Sequence, residues 1–579
     1  MIDTIVNSFD IWSAAQGIKS RTRVKSVDNI SLEGTTSLRK LILDLAIQGK
    51  LTIHDPNDEP ASKLLARIIE EKNKLILNRT QASELKNVVN EKPFQLPDEW
   101  IWSKLGNLGI TQTGSTPKTT IPEYFNGGEI PFIGPGQINR DGSIMESDKF
   151  LTEKGSEFSS TAEHGDIVMV CIGGSIGKSA IVQSKITFNQ QLNSIRPLLV
   201  QSNYLQTALN STLFQNSILE KSTGSATPII NRSKWESIAI PLPPIEEQYR
   251  IVAKLDELMA LCDTLEEILF NNLKTHQVLV KTLLETLTQA ADANELQAAW
   301  ERMAAHFDTL FCTDDSIDQL KQTILQLAVM GKLVKQNPND EPAIELLKRI
   351  AKEKEKQIKE GKIKVEVTLP SIGKGEFPFK VPHNWSYCRM QDLCPNISSG
   401  STPANHLFIE NGIPFLKVYN IRNQQINFNF KKQFISKEIH STSHKRSLLK
   451  PGDVIMNIVG PPLGKVAIIP DEYAEWNCNQ AIVFFKPLIK EINKWLYMYL
   501  SAGTFLKDIE LIGTAGQDNI SVTKSKNIII PLPPLVEQYH IISKVEELFA
   551  LCESLKARVQ KSQSIKILLS KTIVEKAIQ

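Results

Sequence analysis

The chain has 579 residues, 41% hydrophobic and 22% charged, which is room for several domains of ordinary size in a soluble globular balance. A formal net charge of +2 gives no global pull toward nucleic acid or membrane, so any charged surface must come from local patches. No apolar run of about 18 residues occurs, the seven cysteines contain no CxxC pair, and the N-terminal MIDTIVNSFDIWSAAQGIKSRTR has an early Asp and no apolar centre. Those features argue against a membrane helix, a structural zinc site and a secretory signal, and predict reduced thiols and a cytoplasmic location.

The first periodic element is helical: Leu38, Leu41, Ile42 and Leu45 recur at helical spacing, and Gly49 fits a helix stop. A second helix is predicted from Ala61 to about Leu77. A β-rich stretch of about 150 residues follows, a normal domain size. It ends at Pro241-Leu242-Pro243-Pro244, which breaks any preceding element. Inside it, Asp166 to Ile172 is strand-like and enters Gly173-Gly174-Ser175-Ile176-Gly177-Lys178-Ser179. A phosphate loop needs Gly, four residues, then Gly-Lys-Ser/Thr. Counting back from Gly177 finds Ile172 where the first glycine belongs. The β-branched residues after Lys178 predict a second strand, not the helix that a phosphate site requires.

After Pro244, Ile251, Leu255, Leu258, Cys262, Leu265 and Leu269 follow a 4–3–4–3–4 spacing, the seam of a coiled coil that loosens at Asn272 and His276. A helix of about 36 residues would be about 54 Å long.

From there the chain repeats itself. IPLPPIEEQYRIVAKLDELMALCDTLE (Ile240 to Glu266) and IPLPPLVEQYHIISKVEELFALCESLK (Ile530 to Lys556) are identical at 16 of 27 positions, at an offset of 290. LILDLAIQGKL returns as TILQLAVMGKL, PNDEPASKLLARI as PNDEPAIELLKRI, and PFQLPDEW as PFKVPHNW. TGSTP (Thr113 to Pro117) answers SGSTP (Ser399 to Pro403), IPFIGPGQI answers IPFLKVYNI, and GDIVMVCIGGSIGKSAI answers GDVIMNIVGPPLGKVAI. The second copy keeps Gly460, Gly464 and Lys465 but places prolines inside the turn and Val466 where a magnesium-binding hydroxyl would stand. Proline removes a backbone donor, so the shared feature is a strand–turn–strand with a lysine at its tip. The second seam is Ile541, Val545, Leu548, Cys552, Leu555 and Val559. Neither long helix can bury its stripe alone, and the simplest solution packs them on each other; the alternative is that each packs on its own domain.

The predicted architecture is therefore α+β and internally duplicated, with two β-rich globular bodies separated by long helices that pair as an antiparallel coiled coil about a pseudo-twofold axis. Its expected divisions are an N-terminal helical region (1–92), a first globular body (93–244), central helices with the repeated helical region (245–376), a second body (377–534) and a C-terminal helix (535–579).

No catalytic pattern stands out: no HExxH, no GxSxG, no HxE…PCxxC, and no Asn/Asp-Pro-Pro-aromatic with a glycine-rich cofactor loop. Asp166 and Asp453 precede strands in GD pairs and suit turn formation. His164 and His444 are isolated. What recurs is polar loop chemistry. Asn and Gln bond adenine edges, Arg and Lys prefer guanine, and Ser, Thr and backbone N–H groups hold phosphates. In the first body the candidates are Thr113, Gly114, Ser115, Thr116, Lys118, Lys178, Asn189, Gln190, Gln191, Asn193, Ser222, Ser225, Thr227, Asn231 and Arg232. In the second they are Ser399, Gly400, Ser401, Thr402, Lys417, Asn420, Arg422, Lys445, Arg446, Lys465, Asn479, Gln480, Thr514, Gln517 and Asn519, beside the basic stretch Lys431, Lys432, Lys437 and Lys450. Repeated Gly-Ser-Thr-Pro is open to a second reading, as a signature that only shapes a turn.

Two bodies each ending in IPLPPxxEQ and followed by a helix with ALC, together with TGSTP, GDI, GxxxGK and NQ, resemble the specificity subunit of type I restriction–modification systems over nearly the whole chain. The resemblance implies two target recognition domains, each reading one half of a bipartite, asymmetric DNA target. It implies helices that set the spacer and dock two methyltransferase subunits, and motor–endonuclease subunits that join for cleavage. It also implies no catalytic site and no metal in this chain, with S-adenosylmethionine, ATP and magnesium used by the partners. The alternative is a self-contained fused methyltransferase/nuclease, which would need cofactor and catalytic motifs.

Overall fold

The repeat written into the sequence becomes two units of matching plan. A computed structural model describes residues 8–18, 30–77, 92–224, 227–365, 369–460, 462–507, 509 and 519–578. One unit comprises Met1–Leu273 with Ser562–Gln579, the other Lys274–Lys561.

After a short helix, Phe9–Ala14, and the antiparallel pair Gly17–Ile18 with Ile30–Ser31, the first unit has α1 (Glu33–Ile47) and α2 (Ala61–Leu77), where periodicity places them. Leu38, Leu41, Ile42 and Leu45 are all buried. Gly49 stands at φ +67°, and a Cβ there would lie 2.6 Å from Cγ of Pro97. Glycine is therefore needed twice over, to turn the chain and to admit the proline of PFQLP.

The first globular body contains β1 (Ile101–Lys104), β2 (Gly109–Thr113), β3 (Ile130–Ile133), β4 (Phe150–Leu151), β5 (Ser160–Ala162), β6 (Ile167–Val170), β7 (Ser179–Ile181), β8 (Ile186–Phe188), β9 (Leu192–Pro197) and β10 (Ala239–Leu242). They form sheets of order β4-β3-β8-β5 and β2-β9-β6-β7, plus the pair β10-β1. β3 and β8 run parallel, Phe132 opposite Thr187, and the other pairs are antiparallel. Strand β6 shows why its sequence is an unbroken apolar run. Val168 and Val170 face a core shared with Ile133, Ile186 and Phe188 of the other sheet. Ile167 and Met169 face a second core with the helices. A strand covered on both faces has no polar side to alternate with.

Sequence patterning read this body as β-rich, yet it also carries α3 (Ser202–Asn210), α4 (Thr212–Lys221) and α5 (Arg232–Glu236). The Ser211 hydroxyl accepts from the Phe214 N–H and caps α4. These short helices bury Tyr204, Leu205, Leu209, Phe214 and Ile218 against the outer face of the β6 sheet.

The long helix α6 (Ile245–Gln289) is 45 residues, about 68 Å at the α-helical rise, and longer than the seam predicted. It continues past Asn272 because Val280, Leu284 and Leu287 resume burial and because the His276 ring bonds the Thr309 carbonyl at 3.1 Å.

The second unit adds α7 (Ala293–Ala304), then repeats the plan with α8 (Asp314–Val329) and α9 (Ala343–Lys359). Its strands are β11 (Ser386–Arg389), β12 (Ser398–Ser399), β13 (Phe408–Ile409), β14 (Ile413–Leu416), β15 (Ile421–Arg422), β16 (Gln425–Ile426), β17 (Phe434–Ile435), β18 (Val454–Asn457), β19 (Val466–Ile468), β20 (Asn477–Cys478), β21 (Ile482–Phe485) and β22 (Ile529–Leu532). The orders β12-β21-β18-β19 and β11-β22 reproduce the first body. The sheet β13-β17-β14-β20 keeps the parallel pair, here β14 with β20, and β15-β16 is a separate hairpin. Helix α10 (Asn493–Ala502) answers α3, α11 (Val522–Asn527) answers α5, and α12 (Leu535–Ile578) answers α6.

Each seam is buried in the hydrophobic core of its own unit. In the first unit Ile251, Leu255 and Cys262 of α6 share a core with Val574, near the end of α12. In the second, Ile541, Val545 and Cys552 of α12 share a core with Val280, Leu284 and Leu287, near the end of α6. Leu258, Leu548, Leu555 and Val559 pack at the margins of these cores, and Leu265 and Leu269 are half-buried. Each seam packs on its own half, as the alternative expected, against the repeated helical region of that half. Leu38, Leu41 and Leu45 of α1 lie in the first core, and the Arg39 Nε bonds Glu266 of α6 at 3.1 Å. Lys321 and Asp318 of α8 pair with Glu553 and Lys556 of α12.

The PLPPxxEQ signature has a structural explanation in both units. Glu247 is buried and accepts from the Trp100 indole at 2.8 Å, with Thr52 and His54 on its other oxygen. Glu537 accepts from the Trp385 indole at 3.0 Å and from Gln336 at 3.2 Å. Gln248 and Gln538 donate to the carbonyls of Pro243 and Pro533. The repeated tryptophan, the proline cluster and the Glu-Gln pair are thus one bracket, closing each body where its chain enters and leaves.

Candidate nucleic-acid interface

Three loops meet at one end of the first body. Gly114 N–H donates to the Leu192 carbonyl and Ser115 N–H to Phe188, which seats TGSTP on the NQQ turn. The Thr116 hydroxyl then bonds Gln190 Oε1 at 2.6 Å. Asn189 N–H donates to Ile133, tying in the loop after β3. The second body repeats the assembly: Gly400 to Ile482, Ser401 to Cys478, Thr402 to Gln480, and Asn479 to Leu416. Motifs some 75 residues apart in sequence are neighbours in space, and Thr116, Gln190, Thr402 and Gln480 are exposed.

The glycine turn forms the adjoining edge. β6 and β7 pair antiparallel across it, Ile167 opposite Ile181, so a hairpin follows Lys178 where a phosphate site would need a helix. Gly173 and Gly177 stand at φ +100° and +89°. Residues 227–230 dock on this turn through Gly173 N–H to the Pro228 carbonyl and Ile230 N–H to the Cys171 carbonyl.

Several candidate contacts serve the fold instead. Asn193 is 2% exposed and accepts from the Thr113 hydroxyl, and Asn420 is fully buried, so neither reaches a base. Asn420 Nδ2 holds the carbonyls of Asn427 and Phe430. Gly114 and Gly400 are close-approach residues: a Cβ would lie 1.9 Å from the Asn189 oxygen and 2.2 Å from the Cys478 oxygen. Lys178 Nζ donates to the Ile138 carbonyl at 3.1 Å, a tether inside the body. Asn231 caps α5 by accepting from Lys234 N–H, and the Ser222 hydroxyl donates to Leu219. Asn189 bonds Gln191 and orders its own turn. Asp166 behaves as a turn former, accepting from Glu163 N–H while Arg196 grips both its oxygens.

Still outward-facing are Thr113, Thr116, Lys118, Gln190, Thr227 and Arg232 in the first body and Thr402, Arg422, Lys445, Arg446 and Gln480 in the second. Ser115, Gln191, Ser399, Ser401, Lys417, Lys465, Asn479 and Asn519 are half-buried at this edge. Arg232 is shared with Glu236. Ser225, Thr514 and Gln517 lie outside the described residues.

The second body holds a feature that loop-by-loop reading missed. Lys417, Arg422 and Lys431 lie over the rings of Phe408, Phe430 and Tyr419, the Arg422 guanidinium carbon 3.4 Å from the Phe430 centroid. Its signal was the interleaving of aromatic and basic residues in YNIRNQQINFNFKK, a pattern suited to nucleic acid.

Electrostatics inside the bodies is structural. Burial raises the Asp453 carboxyl and lowers the Lys486 ammonium, which sits 3.8 Å away. Burial pushes the thiols of Cys171 and Cys478 up to about 12, outside the range of a reactive thiolate. Among the described residues, no cluster of His, Cys, Asp and Glu could hold a metal ion, and no helix is long and apolar enough to cross a membrane.

The model of the type I restriction modification DNA specificity domain matches residues 97–275 and again 382–566. The specificity subunit of the Escherichia coli type I restriction enzyme EcoAI is 35% identical over 593 aligned residues, covering 99% of both chains. That of E. coli EcoEI is 34% identical, with 99% of each covered. The chain belongs to the family of type I restriction–modification specificity subunits. An HsdS subunit from Thermoanaerobacter tengcongensis, solved by crystallography, is 18% identical over 84% of this chain and 98% of that one, with a TM-score of 0.35. As a specificity subunit, the chain is the DNA-recognition component and not the catalyst, and nothing in these comparisons favours a fused enzyme. Each match to the family model begins just before the bracketing tryptophan or the strand that follows it, and runs into the long helix.

Proposed function

We propose that each globular body reads one part of a bipartite double-stranded DNA target, and that α6 and α12 set the separation of the two parts and dock two methyltransferase subunits, with motor–endonuclease subunits joining for cleavage. The observation that carries this reading is the three-loop edge. Both bodies build it from the same backbone bonds and the same exposed Thr–Gln pair, yet the residues around that pair differ, Lys118 against Ala404 and Gly134-Pro135 against Lys417-Val418, as two readers of different words require. Exposed lysines, arginines, hydroxyls and N–H groups supply salt-dependent phosphate contacts, and a few side chains probe base edges in the major groove. A wrong gap between the two parts then forces bending or twisting of the duplex, costing on the order of 1–6 kcal/mol. S-adenosylmethionine, ATP and magnesium belong to the partner subunits in this scheme, and a flipped adenine enters the partner's pocket.

The experiment is methylome sequencing of cells with and without this chain. The expected result is loss of one bipartite adenine-methylated motif. Exchange of residues 93–240 for a homologous segment should alter one part of that motif only. Altered methylation in both parts, or methyl transfer by the purified chain alone, contradicts the reading.

A further inference from the structure

We propose that Arg422 is a specificity-determining residue, reading a guanine in the part of the DNA target recognised by the second body; this rests on the function proposed above. Arg422 stands on the hairpin β15–β16, whose turn residues Asn423 and Gln424 have φ +49° and +58°, the signs a tight two-residue turn between twisted strands requires. The turn is braced from behind: Gln424 Oε1 accepts from Val466 N–H at 2.7 Å, and its carbonyl accepts from the Tyr497 hydroxyl at 3.0 Å. The hairpin is therefore held against the glycine turn.

Two contacts orient the guanidinium. Its central carbon lies over Phe430, 3.4 Å from the ring centroid, and its Nε donates to the Tyr419 carbonyl at 3.2 Å. Phe430 is itself fixed, its carbonyl accepting from the buried Asn420 amide and its N–H donating to Asn427 Oδ1. Arg422 is exposed, and among the described residues its two terminal nitrogens have no partner and no carboxylate pairs with it. A planar fork with both outer nitrogens free matches the O6 and N7 acceptors of guanine in the major groove. Stacking removes the rotamer freedom that a mobile arginine would lose on binding. Lys417 and Lys431, on the neighbouring rings, add cations that favour approach to the DNA backbone without reading it. The first body lacks this arrangement: its matching turn is closed by Asn139, Asp141 and Ser143 bonding one another.

The test uses the chain assembled with the methyltransferase subunits of its own system, read by methylome sequencing and by methylation of synthetic duplexes. Arg422→Ala should make one guanine position degenerate in the second body's part of the motif, losing roughly five- to hundredfold of discrimination there, with the first body's part unchanged. A 7-deazaguanine at that position, which lacks N7, should slow the wild-type complex by a similar factor and leave R422A unaffected. Arg422→Lys should resemble R422A, because an ammonium restores charge but neither fork nor stacking. Phe430→Leu should lose part of the same discrimination.

An unchanged motif in R422A, uniform weakening at all sites rescued by R422K, or loss at a position that is not guanine would overturn the assignment. If R422A methylates nothing, F430L decides: full discrimination by F430L overturns the proposal, and partial loss at one guanine upholds it. Failure of the broader reading would appear separately, as a body exchange that alters both parts of the motif.

Discussion

The two globular bodies share strand order, bracket and loop seating, and differ at the turn that follows β3 in one and β14 in the other. In the first body this turn is closed on itself by Asn139, Asp141 and Ser143, and is tethered underneath by Lys178. In the second it becomes a tight two-residue hairpin carrying Arg422, with aromatic rings beneath its cations and Gln424 in place of the lysine tether. Similar folds with unlike edges show where each pressure acts. Buried backbone bonds and close-approach glycines keep the scaffold the same, while the exposed turn is released to vary.

The largest expected effect tests the shared part. Gly114→Ala and Gly400→Ala each place a Cβ within 2.2 Å of a backbone oxygen. Each should destabilise its own unit by more than about 2 kcal/mol and abolish recognition of that body's part of the motif only. Calorimetry with methylome sequencing checks this, and equal damage to both parts would refute it.

Next is the bracket. Trp385→Phe leaves Glu537 with Gln336 alone and should cost about 1–3 kcal/mol in denaturant unfolding. Trp100→Phe should cost less, because Thr52 and His54 still hold Glu247.

A pH effect should appear at the second bracket. Burial raises the Glu537 carboxyl above its ordinary value of 4.5. The folded state then binds this proton more tightly than the unfolded chain, so its contribution is greatest below the ordinary value and falls as the pH rises through the raised one. Glu537→Gln keeps the acceptor and removes the titration, so the unfolding midpoint should fall less as the pH rises above the ordinary carboxyl value than in the wild type.

The smallest effect concerns the paired lysines. Lys465→Met should shrink the log–log salt slope of DNA binding by about one with stability unchanged. Lys178→Met should leave the slope nearly intact and lower stability by about 1 kcal/mol, since its ammonium is already committed to Ile138.

Much of this was legible in the sequence because the repeat supplied its own control. Prolines and Val466 in the second copy removed the phosphate-loop reading, and the β6–β7 hairpin agrees. The α1 and α2 helices followed from periodicity. Asn193 and Asn420 were misplaced because an asparagine in a polar loop looks the same whether it faces water or ties two carbonyls together. The Phe430 platform was missed for a related reason: stacking depends on a turn folding back, and residue spacing does not carry that. Helices α3 and α4 were overlooked because their apolar positions merge with the surrounding strand-like runs.

The ladder β1–β10, with Ile101 opposite Leu242, and its counterpart Ser386 opposite Leu532, bring the entrance and exit of each body side by side. A foreign body inserted between such adjoining ends needs no extra linker and exerts no tension on the helices outside it. On the function proposed above, a body exchanged between these ends would change the vocabulary of this protein while its frame stays in register.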